Sequence, residues 1–195
     1  MITLVLATAN PHKTEEIRQV LAEFDVELLP RPVEVPDVDE TEDTLEGNAL
    51  LKARALARAT GVAAIADDTG LFVDALDGAP GVYSARYAGE GATFEDNVNK
   101  VLAELENVPP DRRTARFRTV IALASPDGTS WWVEGSVEGR ILSGRRGEHG
   151  FGYDPIFAPL SEGGRSLAEL SADEKNALSH RGNALRAFAA RLERS

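Results

Sequence analysis

The sequence contains no cysteine, and it has only four lysines, at positions 13, 52, 100 and 175. Without cysteine there are no disulfide bonds, thiol nucleophiles or thiolate metal sites. No apolar run is long enough to cross a membrane, and the first residues, MITLVLATANPHK, lack the basic and apolar regions of a signal peptide. We therefore expect a cytoplasmic protein with no membrane partner.

Basic residues are also in the minority. The chain has 21 Lys and Arg against 32 Asp and Glu, which gives a formal net charge of −11. This charge argues against nucleic acid as a partner, because the phosphate backbone is bound chiefly through Lys and Arg. It still permits a small anionic substrate held by a local basic pocket or a bound cation. The length of 195 residues predicts a single domain over residues 1–195.

Strand and helix patterns alternate along the chain, which predicts an α/β fold with a mixed sheet. The predicted strands are residues 2–8, 62–67, 115–125 and 130–141. The predicted helices begin near residues 11, 44, 94 and 172, and the chain ends in helices. Helix starts are marked by capping residues, namely Asn10, Thr93 with Asp96, and Ser171 with Glu174.

The segment TANPHK, after the first strand, places His12 and Lys13 in the first turn of a helix. Cations are unfavourable there, whereas the free backbone N–H groups of a helix N-terminus attract anions. We therefore predict a phosphate-binding turn whose backbone amides point outward. The alternative is that both side chains extend into solvent.

Two adjacent carboxylates, Asp67 and Asp68, come directly after an apolar strand. The predicted strand stops there, and open α/β sheets usually bind ligands at the carboxyl ends of their strands. Oxygen ligands suit Mg²⁺ or Mn²⁺ bound together with substrate phosphates. A carboxylate beside such a metal could also deprotonate water. The alternative is an acidic turn in which Asp68 caps a backbone amide.

Two further segments carry groups that suit a nucleotide. FGYDP offers backbone amides through Gly152, two aromatic rings on which a base could stack, and the carboxylate of Asp154. EKNALSHR has Lys175 and His180 five residues apart, which can converge only if a helix ends between them. The alternatives are a glycine-rich connection with its aromatics in the core and a solvated helix end. Together with the carboxylates and the basic turn, these segments predict a Mg²⁺–nucleotide site.

The sequence closely resembles the inosine/xanthosine triphosphate pyrophosphatase family. Five segments occur in the family's order: LATANPHKTEEI, ETEDTLEGNALLKA, IADDTGLFVDALDGAPGVYSARYAG, FGYDPIF and EKNALSHR. The resemblance runs nearly end to end. It implies a long mixed β-sheet flanked by helices, in two lobes with a central nucleotide-binding cleft. It also implies a homodimer, a purine nucleoside triphosphate substrate and Mg²⁺ as cofactor.

The resemblance assigns roles to individual residues. Asp68 is implied as general base and metal ligand, with Glu40 as the second metal carboxylate and Asp39 as the next choice. Asp67 is expected to support the site or to contact the metal through water, and Arg86 is left without a catalytic role. The implied substrate-binding residues are Thr8, Ala9, Asn10, Pro11, His12 and Lys13 for the triphosphate, then Thr69, and then Phe151, Gly152, Tyr153, Asp154, Lys175, His180 and Arg181 for the base, sugar and phosphates.

The expected reaction is the hydrolysis of dITP, ITP or XTP to the nucleoside monophosphate and pyrophosphate. Water deprotonated by Asp68 attacks the α-phosphorus, and His180, Arg181 and the amides of residues 151–154 are candidates for reading the 6-keto group of the base. Two rival functions remain. One is a phosphomonoesterase with Asp67 or Asp68 as covalent nucleophile. The other is a non-catalytic nucleotide-sensing module.

Overall fold

The computed structural model describes residues 2–8 and 10–194. The α-helices in these residues are α1 (Pro11–Leu21), α2 (Leu45–Thr60), α3 (Phe94–Glu104), α4 (Ala172–Leu178) and α5 (His180–Leu192). The strands are β1 (Ile2–Leu6), β2 (Val26–Leu29), β3 (Ala64–Val73), β4 (Pro80–Gly81), β5 (Thr114–Ala124), β6 (Ser130–Ile141) and β7 (Phe157–Pro159). No helix in the described residues is both long and apolar enough to span a membrane.

The described strands form one mixed sheet. Its order is β2-β1-β3-β5-β6-β7, and β4 pairs with β3 beside this path. Strand β1 is parallel to both β2 and β3, whereas β4 and β7 are antiparallel to their partners β3 and β6. The predicted α/β fold with a mixed sheet is therefore confirmed.

The chain divides into two compact units, each with its own apolar core. In the first unit, α1 and α5 pack on the sheet through Ile17, Leu21, Ile65, Leu185 and Phe188. The second has a core that includes Leu71, Val101, Phe117, Ile156 and Phe157. The first unit comprises Met1–Asp68, Thr119–Gly135 and Arg181–Ser195, and the second comprises Thr69–Arg118 and Ser136–His180. Two units agree with the two lobes that the resemblance implies.

Helix starts lie where the capping residues predict them. The Asn10 side chain caps α1, and the Thr44 hydroxyl accepts a hydrogen bond from the Gly47 amide at the start of α2. Reciprocal capping boxes begin α3 and α4. Helix α2 ends at Gly61, whose φ of 69° lies in the left-handed region that glycine adopts without strain.

The predicted end of strand β3 was wrong. The sequence predicted a strand over residues 62–67, but β3 continues to Val73, so Asp67 and Asp68 lie inside it. Pairing explains the difference, because Leu71 and Phe72 pair with Gly81 and Pro80 of β4. Gly70 marks this close approach, since a Cβ there would lie 2.6 Å from the Gly81 carbonyl oxygen. Because it has no side chain, Gly70 admits the neighbouring strand.

Candidate active site

Asp67 and Asp68 are buried neighbours on β3 that bind different partners. Successive side chains of a strand point to opposite faces of the sheet, which keeps the two carboxylates apart. Asp67 Oδ2 lies 3.0 Å from the Lys13 ammonium and 3.4 Å from the Arg181 guanidinium. Arg181 also pairs with Glu16 of α1. We call Lys13, Glu16, Asp67 and Arg181 the Asp67 cluster.

The Asp67 cluster is balanced in charge, with two cations and two carboxylates. Burial opposes ionisation of Asp67, but Lys13 and Arg181 outweigh burial and hold the pKa of this carboxyl far below its usual range. Asp67 is therefore a carboxylate at any physiological pH. Its partners come from α1 and α5, so the cluster ties two helices to β3.

Asp68 belongs to a second group of charges. The Lys52 ammonium lies 3.0 Å from Asp68 Oδ1 and 2.7 Å from Glu40 Oε1, so a single cation bridges two carboxylates. We call Glu40, Lys52 and Asp68 the Asp68 cluster. Within this cluster the carboxylates outnumber the cations by two to one.

Burial and the neighbouring charges shift the pKa values of Asp68 and Lys52. Burial raises the pKa of Asp68 to about 6; Lys52 opposes this shift, and the charge of Glu40 adds to it. For Lys52, burial lowers the pKa, but the carboxylates, chiefly Asp68 and Glu40, outweigh burial and raise it. The second oxygen of Asp68, Oδ2, is buried and accepts no hydrogen bond from the described residues. A buried carboxylate oxygen of this kind is costly unless a cation or a proton donor reaches it.

The segment before α2 is anchored on both sides of Glu40. On one side, Arg31 donates a 2.7 Å hydrogen bond to the Val35 carbonyl and pairs with Asp37. On the other, the buried Asn48 side chain accepts from the Glu42 amide at 3.0 Å and donates to the Glu42 carbonyl at 3.2 Å. Asp39 is exposed, whereas Glu40 bonds to Lys52. Of the two candidate metal carboxylates, Glu40 is therefore the one beside Asp68.

The donor set suits a hard divalent cation. No group of three or more His, Asp or Glu side chains in residues 2–8 and 10–194 is placed to hold a metal. Two carboxylates are sufficient for Mg²⁺, which keeps several waters and completes its shell with substrate phosphates. The surplus negative charge of the Asp68 cluster and the buried Oδ2 fit such an ion.

The expectation of free amides in the phosphate turn was wrong. Asn10 accepts from the amides of His12 and Lys13 at 3.0 and 3.4 Å, and the Asn10 amide donates to the Thr8 hydroxyl at 3.1 Å. Pro11 has no N–H group. The cation near the helix start is matched by Asp67, a carboxylate of the chain itself. The positive charge at this turn therefore comes from side chains, above all from Lys13. Ala9, also predicted for the triphosphate, lies outside the described residues.

In the second unit, the FGYDP loop is held by a buried ion pair. Lys175 Nζ lies 2.7 Å from Asp154 Oδ2, and the same oxygen accepts from the Phe151 amide at 2.8 Å. The Lys175 ammonium also lies 4.9 Å from the centroid of the Phe151 ring. Gly152 follows with a φ of 61°. Phe151 is half-buried, so part of its side chain is accessible.

Tyr153 and His180 are both buried, and each contacts other residues of the protein. Tyr153 lies in the core, and its hydroxyl donates to the Ser84 carbonyl at 2.9 Å, so the expectation that it offers a ring for stacking was wrong. His180 stacks on Phe117, with ring centroids 4.5 Å apart. Helix α4 ends at Leu178 and α5 begins at His180, so the predicted break between Lys175 and His180 is confirmed.

Lys52 is a site residue that the sequence analysis missed. A signal was present, because Leu45, Ala49, Lys52 and Leu56 recur at the spacing of one helical face. A lysine on a face of otherwise apolar residues needs a partner, and Lys52 has two. The remaining named residues are less informative: Thr69 is half-buried on β3, and Arg86 lies against the Tyr83 ring, 5.4 Å from its centroid.

Comparisons with known proteins give relatives along almost the whole chain. The model of the Ham1 family matches residues 4–191. A dITP/XTP pyrophosphatase of Thermoanaerobacter sp. (strain X514) is 50% identical over 184 residues, which cover 93% of this chain and 92% of the relative. Another, from Geobacter sulfurreducens, is 51% identical over 187 residues, which cover 95% and 94%. The solved structure of a HAM1 protein from Coxiella burnetii covers 100% of both chains at 42% identity, with a TM-score of 0.90. These likenesses confirm the family resemblance seen in the five sequence segments.

Proposed function

The chain belongs to the Ham1 family, and from that premise we propose that it hydrolyses the non-standard purine nucleotides dITP, ITP and XTP to the monophosphate and pyrophosphate. Relatives that are about half identical carry the name dITP/XTP pyrophosphatase. The observation that carries the proposal is the Asp68 cluster. It combines a surplus negative charge with a buried carboxylate oxygen that no described group bonds.

Glu40 and Asp68 would hold Mg²⁺, the expected cofactor. When bound, this ion supplies positive charge against the negative charge that develops on the phosphates. Lys52 donates to both carboxylates and fixes their separation. Lys52 already donates to Asp68 Oδ1, so Oδ2 is the oxygen of Asp68 that we assign both to the ion and to the attacking water.

Asp68 is suited to act as general base. A base works best when its pKa lies near the operating pH, and burial raises the pKa of Asp68 to about 6. Without a bound cation, the group is mostly ionised at neutral pH and can accept a proton. The water oxygen bonds to the α-phosphorus as the bond from phosphorus to the bridging oxygen breaks. The proton goes to Asp68, and pyrophosphate leaves with the bridging oxygen.

Lys13 is assigned to the phosphates. Its side chain is 20% exposed, and Asp67 is a partner of both Lys13 and Arg181. A phosphate oxygen can therefore approach the Lys13 ammonium where it lies. Thr8 and Asn10 shape the turn through their hydrogen bonds. We assign the base to Phe151, with His180, Arg181 and the amides of the 151–154 loop as donors to the 6-keto oxygen. Leaving such buried groups unpaired is what rejects a wrong base.

Product analysis tests the proposal. Purified protein with Mg²⁺ is given ITP, XTP, ATP or GTP separately, and pyrophosphate and orthophosphate are assayed in parallel, with an EDTA arm for each. We expect pyrophosphate from ITP and XTP, little from ATP and GTP, and none with EDTA. Orthophosphate as the first product would support the phosphomonoesterase instead. Tight nucleotide binding with neither product would support the sensing module.

Two further expectations from the resemblance belong to this proposal. The protein is expected to be a homodimer and to work in the cytoplasm. Size-exclusion chromatography with light scattering tests the first expectation, with a mass of about twice 21.0 kDa as the predicted result. A monomer that retains full pyrophosphatase activity would contradict it.

A further inference from the structure

Helix α3 begins with an aromatic residue that the surrounding structure leaves nearly half exposed. Phe94 is the first residue of α3, and 46% of its surface is accessible. The capping box of Thr93 and Asp96 fixes its backbone, with hydrogen bonds of 3.1 Å and 2.9 Å closing the two halves. The ring lies against Phe151, with centroids 5.9 Å apart and planes inclined by 45°. A surface phenylalanine thus contacts the ring that we assign to the base, 57 positions further along the chain.

Contacts within the loop fix the backbone around Phe151, but they do not fix the orientation of its ring. Gly150 and Gly152 flank it with φ values of 74° and 61°. A Cβ at Gly150 would lie 2.2 Å from Asp154 Oδ2, so the carboxylate packs directly against the loop. Asp154 also accepts the Phe151 amide. These contacts fix the main chain, and they leave the orientation of the ring to groups that touch the ring itself.

Groups from outside the loop, among them Lys175 and Phe94, contact that ring. The Lys175 ammonium lies 4.9 Å from its centroid, and Phe94 packs in a tilted geometry of the kind that aromatic pairs favour. Lys175 is itself fixed by Asp154, and Phe94 by the start of α3. A fixed charged group and a fixed aromatic ring thus both contact the Phe151 ring.

We propose that Phe94 is a positioning residue for the nucleotide base, which acts by orienting the Phe151 ring. The inference rests on the proposed function, in which the base stacks on Phe151. A ring that is already oriented loses less freedom when the base binds, so the contribution of Phe94 falls on nucleotide affinity. An aromatic pair of this kind corresponds to a change of roughly two- to twelvefold in binding.

The test compares Phe94→Ala, Phe94→Leu and Phe94→Tyr with wild type in ITP hydrolysis. We expect Phe94→Ala to raise KM about two- to twelvefold with kcat nearly unchanged. Phe94→Leu should raise KM less, and Phe94→Tyr should have a KM close to that of wild type. Trp132→Ala is the matched control, because Trp132 is 41% exposed and lies outside the groups assigned to the nucleotide. Phe151→Ala and the double variant Phe94→Ala/Phe151→Ala complete a cycle. The double variant should have the KM of Phe151→Ala alone, since Phe94 acts through Phe151.

The outcomes separate this inference from the proposed function. If wild type releases no pyrophosphate from ITP, the proposed function fails and takes the inference with it. If wild type is active and KM is unchanged in Phe94→Ala, or if the two substitutions add in full, the inference alone is overturned. A merely structural role would lower the melting temperature and kcat without changing KM. Should Phe94→Ala fail to fold, Phe94→Leu decides, because it keeps an apolar contact but removes the ring.

Discussion

The Asp67 cluster contains two cations for two carboxylates, whereas the Asp68 cluster contains one cation for two. Both clusters are built on adjacent residues of β3. Asp67 has a pKa far below its usual range, held there by Lys13 and Arg181 against the effect of burial. Burial raises the pKa of Asp68 to about 6. Two chemically identical side chains in one strand thus have pKa values that are shifted in opposite directions.

The comparison shows how a fold can place reactivity beside stability. A balanced buried cluster holds elements together and carries no net charge, so a ligand can approach it best at its most exposed member, here Lys13. An unbalanced one is destabilising on its own, and a bound cation relieves it. We therefore assign the Asp67 cluster to the structure of the site and the Asp68 cluster to its chemistry. Four substitution experiments test this division.

Asp68→Asn should have the largest effect on activity. The amide cannot accept a proton from water, so kcat for ITP should fall by about 10²–10⁴-fold, the usual contribution of a general base. The far-UV spectrum and the melting temperature should show an intact fold. Steady-state kinetics with saturating Mg²⁺ check this prediction, and near-normal turnover would refute the role of Asp68.

Asp67→Asn should instead act mainly on stability. Removing one member of a buried ion pair leaves its partners uncompensated and costs about 3–5 kcal/mol. Because the pKa of Asp67 is lower in the folded state than in the unfolded state, this contribution is present at neutral pH and lost as the pH falls through the acid range. Urea denaturation at pH 7.5 measures it.

The control for that experiment is Asp74→Asn. Asp74 also pairs with an arginine, Arg116, but both side chains are more than 40% exposed. Exposed pairs contribute about 0–1 kcal/mol, so this variant should unfold nearly as wild type does. Equal losses in the Asp67 and Asp74 variants would show that the Asp67 cluster has no special structural weight.

The pH dependence of stability should separate the clusters a second way. The folded pKa of Asp68, about 6, lies above its ordinary value of 3.8, so ionised Asp68 costs stability as the pH rises. In EDTA, the free energy of unfolding of Asp68→Asn relative to that of wild type should therefore increase between about pH 4 and pH 7. The increase should approach about 3 kcal/mol for a pKa shift of this size. Urea denaturation at a series of pH values checks this. A constant difference between the two proteins across that range would contradict it.

Glu40→Gln should have the smallest of these effects. Removing one of two metal carboxylates should raise the Mg²⁺ concentration for half-maximal activity by about tenfold or more, a loss that even outer partners of metal ligands produce. Asp39→Asn is the matched control, because Asp39 is the adjacent but exposed carboxylate. Mg²⁺ titrations of the two variants give the comparison. A larger shift in the Asp39 variant would move the metal ligand to that residue.

Much of the fold was predictable because its signals are local. Capping residues and apolar periodicity placed the long helices and the strands β5 and β6. The short strands were not predicted, since β2, β4 and β7 have two to four residues each and exist through their pairing. For the same reason, the extension of β3 past Gly70 depends on β4, which is a partner that local sequence does not reveal.

The site was less predictable, because its organisation depends on which charges meet. The carboxylate pair, the basic turn and the Asn10 cap were visible in the sequence, but not that Lys13 would bind Asp67. Lys52 was overlooked because its partners, Glu40 and Asp68, lie 12 and 16 positions away. Tyr153 shows a further limit, because an aromatic residue in a glycine-rich loop can equally serve the core.

The most direct test of the account follows the oxygen atom of water. Wild type and Asp68→Asn are mixed with ITP and Mg²⁺ in ¹⁸O-labelled water under single-turnover conditions, and the products are analysed by mass spectrometry. We predict one ¹⁸O atom in inosine monophosphate, none in pyrophosphate, and a rate at least about 10²-fold lower in the variant. Label in pyrophosphate or orthophosphate, or equal rates for the two proteins, would contradict attack on the α-phosphorus by water that Asp68 activates.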